Sequence, residues 1–100
     1  MIARKVAPAL AAGCTVVIKA PPETPYSTLA FVELAERAGI PKGVINVVCT
    51  ATNTKEVGLE LTTNPAVRKI SFTGSVSFSA LFRRPALTSA PNRPRLDACL

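Results

Sequence analysis

Two β-branched runs, Thr15-Val16-Val17-Ile18 and Val44-Ile45-Asn46-Val47-Val48, flank a proline-bounded helical pattern, and this arrangement constrains the fold most. A hairpin joins its strands through about two to five residues, whereas a connection that holds a whole helix implies a crossover and a parallel pair. The first run is continuous rather than alternating, the composition of a strand covered on both faces. Lys19 closes it, and Ala20-Pro21-Pro22-Glu23 cannot extend it, because consecutive prolines lack ladder donors.

Thr24-Pro25 opens the helix, with Thr24 expected as N-cap and Pro25 at the first helical position. Tyr26, Ala30, Leu34 and Ala38 fall on one i,i+4 stripe, widened by Phe31 and Ala35, while Glu33, Glu36 and Arg37 take the other side. Gly39 ends the helix, and Pro41-Lys42-Gly43 turns the chain into the second strand. Residues 54–63 read as a shorter helix, with Val57 and Leu61 on one face and a break at Asn64-Pro65. Arg68 to Phe72 reads as a third strand. Upstream, residues 2–12 read as a helix that contains Pro8 and stops at Gly13. The expected fold class is α/β, a partial Rossmann-like three-stranded parallel sheet with helices.

From Phe78 the periodicity fails, and the remaining segment is dominated by arginine, proline and small residues. Residues 78–100 are therefore expected to form an unrelated, disordered tail behind a domain spanning residues 1–77. A core built from fewer than about eighty residues buries only about 60% of its unfolded surface, so its stability is marginal.

Composition removes several functional classes. No apolar run approaches about 20 residues, which argues against a membrane span. The formal charge of +6 is spread along the chain, and no aromatic-interleaved basic stripe accompanies it, so nucleic acid is not an expected partner. Three cysteines, at positions 14, 49 and 99, without any histidine, argue against a disulfide framework or a metal site. Ala11-Ala12-Gly13-Cys14 imitates a lipoprotein cleavage site and the acid-free start imitates a presequence. A short helix closed by Gly13 accounts for both.

Ligands of open parallel sheets sit at the carboxyl ends of the strands. Two loops belong there: Lys19-Ala20-Pro21-Pro22-Glu23-Thr24-Pro25, which puts a cation at a strand end, and Phe72-Thr73-Gly74-Ser75, whose glycine permits close approach of a ligand. A helix beginning at Ser75 would aim free N–H groups at a pyrophosphate. Taken singly, each loop is also ordinary strand-to-helix chemistry, and neither is a GxGxxG fingerprint.

Together the segments carry more. KVAPALAAGCTVVIKAPPETPYSTLAFVELAERAGIPKGVINVV, followed by NPAVRKISFTGS, resembles the cofactor-binding domain of the aldehyde dehydrogenase superfamily, nearest its succinate-semialdehyde branch, over residues 1–77. The resemblance implies an NAD or NADP site. Lys19 matches the lysine that contacts the adenine ribose, Gly58 lies where a helix approaches the adenine, and Gly74 and Ser75 match the pyrophosphate turn. Where NAD-preferring members commonly carry glutamate, this chain has Pro22, with Glu23 one place out of register, which implies tolerance of NADP. Arg4 matches a substrate-channel arginine able to pair with a carboxylate.

The family's chemistry uses a nucleophilic cysteine, a glutamate base and an oxyanion-binding asparagine. The resemblance puts the asparagine before Met1 and the other two after Ser77, so no catalytic residue is expected here. Cys14, Cys49 and Cys99 do not match the nucleophile. The expectation is a truncated aldehyde dehydrogenase fragment, cytoplasmic or mitochondrial, inactive alone. The alternative is a non-catalytic module that binds dinucleotide or associates with itself or with full-length aldehyde dehydrogenase subunits.

Overall fold

The computed structural model describes residues 1–75, so the expected tail at 78–100 and any helix beginning at Ser75 lie outside the described residues. Two compact units divide the chain, Met1–Thr52 and Asn53–Leu100. The first holds α1 (Ile2–Ala11), β1 (Val16–Ala20), α2 (Tyr26–Arg37) and β2 (Ile45–Cys49), and α3 (Thr54–Thr63) lies in the second.

β1 and β2 pair in parallel, with Val16 opposite Ile45 and Ala20 opposite Cys49. This is the crossover that the spacing of the two runs implies. Side chains alternate across a strand, so Val16, Ile18, Ala20, Ile45, Val47 and Cys49 share one face of the sheet, while Val17, Lys19, Asn46 and Val48 share the other. Ala20 and Ile45 on the first face are buried, whereas Val17 on the second is 51% exposed. The sheet is thus covered mainly on one side. α1 packs on β1 and α2 on β2, and Val6 is the buried side chain of α1.

Both helices of this unit stop by the same local mechanism. At the end of α1 the Gly13 N–H donates to the Leu10 carbonyl (2.9 Å) and the Cys14 N–H to the Ala9 carbonyl (3.0 Å). At the end of α2 the Gly39 N–H donates to Glu36 (3.0 Å) and the Ile40 N–H to Ala35 (3.0 Å). These are paired 5→2 and 6→1 bonds that satisfy the last carbonyls, and they require a left-handed residue. Gly13 and Gly39 supply it with φ of 74° and 95°. A third positive φ, 85° at Gly43, sits in the turn that the Val44 N–H closes onto the Pro41 carbonyl (3.2 Å). The Asn46 amide then donates to the Gly43 carbonyl at 2.8 Å and to the Val16 carbonyl at 3.5 Å, tying that turn to β1.

Two details of α2 differ from expectation. Pro25, not Thr24, occupies the N-cap position, and no side chain caps the helix. The packed face is also not the Tyr26–Ala30–Leu34–Ala38 stripe. Thr28 is buried and Phe31, Val32 and Ala35 are half-buried, while Tyr26 is 82% and Leu34 60% exposed. The helix carries apolar residues on two sides, and the sheet takes the side with the β-branched and aromatic residues.

In the second unit, α3 occupies residues 54–63 as expected, with Val57 and Leu61 half-buried and Thr62 buried. Its stop follows from chemistry before a proline. Asn64 adopts an extended conformation (φ −62°, ψ 125°), the region left open to a residue preceding proline. Its side-chain oxygen accepts the Ala66 N–H (2.9 Å), and its amide donates to the Glu60 carboxylate (2.6 Å). The hydroxyls of Thr62 and Thr63 both donate to the Leu59 carbonyl, at 2.8 and 2.9 Å.

The expected third strand is a correction. The described residues form a two-stranded sheet, and Arg68 to Phe72 is irregular backbone. Its alternation of Ile70 and Phe72 with polar neighbours fits a strand, but a strand exists only through its ladder, and this segment makes no ladder bonds among the described residues.

The helix stops give a direct test. Nothing lies within 4 Å of a Cβ built on Gly39, so Gly39→Ala meets no clash and pays only for its left-handed backbone. We expect a loss of about 1–2 kcal/mol, read as a lower urea midpoint with an unchanged slope. An unaltered midpoint would mean the helix end relaxes without cost. Asn46→Ala should cost about 1 kcal/mol through its turn bond, measured in the same way.

Candidate functional site

The loop after β1 begins with Lys19, the penultimate residue of that strand and half-buried, opposite Val48 in the ladder. Ala20 behind it has no exposed surface. Pro21 to Thr24 then run along the surface as a turn closed by the Thr24 N–H on the Pro21 carbonyl (3.4 Å). Pro25 follows, and its carbonyl accepts the N–H groups of Thr28 (3.0 Å) and Leu29 (3.1 Å) to start α2.

This geometry follows from the residue types. Two prolines remove ladder donors and force the chain off the sheet edge, and a third pre-sets φ for the helix. The result brings Lys19 and Pro22 to the same carboxyl end of β1, with Glu23 exposed in the same turn. Among the described residues no carboxylate pairs with the Lys19 ammonium. The loop thus combines a half-buried cation, an exposed turn whose prolines lack N–H donors, and a helix start with no side-chain cap.

Arg4 lies on another element. It is exposed on α1, ahead of the strand that carries Lys19. The remaining expected residues belong to the second unit. Gly58 is half-buried within α3, and Gly74 and Ser75 are exposed at the end of the described chain.

Gly74 has a neighbour that sequence reasoning missed. A Cβ built on it would lie 2.5 Å from Cζ and 2.9 Å from Cε1 of Phe72, so the phenyl ring fills the space that the missing side chain leaves. No motif signals this. A phenylalanine two residues before a glycine reads as strand alternation, and only the conformation reveals the fold-back.

The two described cysteines are exposed and free. They lie at opposite ends of the parallel pair, Cys14 before β1 and Cys49 at the end of β2, which keeps them from bonding to each other. The Cys14 thiol points to the Ala12 carbonyl at 3.9 Å. Among the described residues no group of histidine, cysteine, aspartate or glutamate could hold a metal ion, and no helix is long and apolar enough to cross a membrane.

Comparison with known proteins gives this geometry a context. The model of the aldehyde dehydrogenase family matches residues 1–88. The chain is 57% identical over 84 residues to succinate-semialdehyde dehydrogenase [NADP(+)] 1 of Schizosaccharomyces pombe, covering 84% of this chain and 17% of that protein. It is 65% identical over 75 residues to glutarate-semialdehyde dehydrogenase of Pseudomonas aeruginosa, covering 75% of this chain and 15% of the relative. Among solved structures, succinate-semialdehyde dehydrogenase from Burkholderia pseudomallei superposes with a TM-score of 0.81 at 53% identity, over 89% of this chain and 18% of that one. An aldehyde dehydrogenase from Brucella melitensis superposes with a TM-score of 0.82 at 46% identity, over 88% and 18%. The chain thus spans less than a fifth of the length of these relatives.

Proposed function

The chain belongs to the aldehyde dehydrogenase family, and we propose that it supplies part of a dinucleotide site without the reacting groups. One observation carries this reading: Lys19, without a carboxylate partner among the described residues, stands with the proline turn at the carboxyl end of β1, where parallel sheets receive their ligands. In the complete enzyme the reaction would be oxidation of an aldehyde to its acid with hydride transfer to NAD(P)⁺. Relatives named succinate-semialdehyde dehydrogenase support succinate semialdehyde as that aldehyde. Arg4 would pair with the substrate's carboxylate.

The family resemblance implies the roles. The Lys19 ammonium would hold the adenine ribose, and Gly58 would leave room for the adenine. Gly74 and Ser75 would line the pyrophosphate. Pro22 puts no carboxylate against a ribose 2′-phosphate, so NADP⁺ is tolerated beside NAD⁺. The NADP(+) in the name of the fission-yeast relative supports that tolerance.

Chemistry is another matter. Oxidation of an aldehyde needs a positioned thiolate and a base. Cys14 and Cys49, exposed and free at opposite ends of the sheet, do not match the family's nucleophile. The chain alone therefore binds and does not oxidise. The alternative of association, with itself or with full-length subunits, is favoured by a separate observation. Val17, Tyr26 and Leu34 are left exposed around a two-stranded sheet, and such surface favours partners.

Two measurements check this reading. Titration calorimetry of the 100-residue chain with NADP⁺ and NAD⁺ should show weak binding of both, lost in Lys19→Ala. Pro22→Glu should weaken NADP⁺ against NAD⁺ by roughly 1 kcal/mol, about fivefold, through repulsion of the 2′-phosphate. Equal affinities in that variant would remove Pro22 from the coenzyme choice. Incubation with succinate semialdehyde and NADP⁺ should yield no absorbance at the reduced-cofactor band, and NADPH formation by purified chain would overturn the non-catalytic assignment.

A further inference from the structure

The Phe72 ring and the space above Gly74 bear on one another in a way the proposed roles do not absorb. The glycine is useful to a ligand because its missing side chain lets a phosphate approach the backbone. That space is already filled. Phe72 Cζ lies 2.5 Å and Cε1 2.9 Å from the position a Cβ would take, closer than any substituent could tolerate. Ring and phosphate cannot occupy it together. Phe72 is half-buried while Gly74 and Ser75 are exposed, so the ring covers the turn from one side and leaves it open to solvent on the other.

We propose that Phe72 is an affinity-determining residue of the Gly74-Ser75 turn: its ring occupies the approach to Gly74, and a dinucleotide must displace it to bind. This rests on the reading of that turn as a pyrophosphate site. Two consequences follow from the geometry. Glycine is favoured at position 74 even without ligand, because alanine would have to push the ring aside. Binding also carries the cost of moving the ring, so apparent affinity is reduced by the fraction of molecules in which the turn is open.

The test is made on the 100-residue chain, with NADP⁺ as the probe. In proton NMR the Gly74 Hα resonances should lie upfield, shielded by the phenyl ring, and should move toward ordinary glycine values as NADP⁺ is added. Phe72→Ala, or Phe72→Leu if the alanine variant does not fold, should bind NADP⁺ more tightly, on the order of tenfold for a turn open about one-tenth of the time. Without ligand, Gly74→Ala should be destabilising in the wild-type background and nearly neutral beside Phe72→Leu. A merely structural Phe72 would give the second result without the gain in affinity. Unshielded Gly74 resonances, or equal NADP⁺ affinity in wild type and both Phe72 variants, would overturn the proposal and leave the dinucleotide reading standing. Shielded Gly74 resonances with no NADP⁺ binding by any of the three chains would overturn the dinucleotide reading, and the role of Phe72 with it.

Discussion

The parallel ladder between β1 and β2 is the constraint on which the first unit depends. Its register places Ala20 opposite Cys49 and so fixes where both strands end. The end of β1 in turn fixes where Lys19 and the proline turn emerge. Each partner of the ladder is short, and a parallel pair of this length has little stability unless its connection packs against it. α2 provides that packing through Phe31, Val32 and Ala35. The loop that presents Lys19 is therefore held at both ends, by the ladder behind it and by the helix ahead.

Much of this was legible in the sequence because its signals are local. Gly13 and Gly39 stop their helices through bonds to residues within five positions, so the glycine alone marks the boundary. Asn64-Pro65 does the same for α3, since the restriction that proline places on its predecessor needs no tertiary context. The parallel pairing was legible for a different reason: a helix-bearing connection leaves few other topologies open.

What sequence could not settle depended on neighbours. α2 has apolar residues at helical spacing on two sides, and periodicity alone cannot choose between Tyr26-Ala30-Leu34 and Thr28-Phe31-Val32-Ala35. The sheet chose the second. Arg68 to Phe72 has the alternation of a strand, but alternation describes a face, whereas a strand is made by the hydrogen bonds of a partner. At the candidate site, Lys19 and Pro22 were visible as residue types in a strand-end loop. The closure of Gly74 by Phe72 was not visible, because a ring's rotamer leaves no trace in composition or spacing.

The bond from Asn46 to Val16 joins residues 30 positions apart. During synthesis that separation becomes a waiting time. At about 5–20 residues per second, β1 leaves the peptidyl transferase centre roughly 1–6 s before the last residue of β2 is added. Throughout that interval β1 has no β2 to pair with, whereas the glycine-stopped α1 needs only its own residues to close. Order of synthesis thus becomes order of folding: the helix stop is complete once Cys14 has been made, while the sheet waits for its crossover helix and second strand.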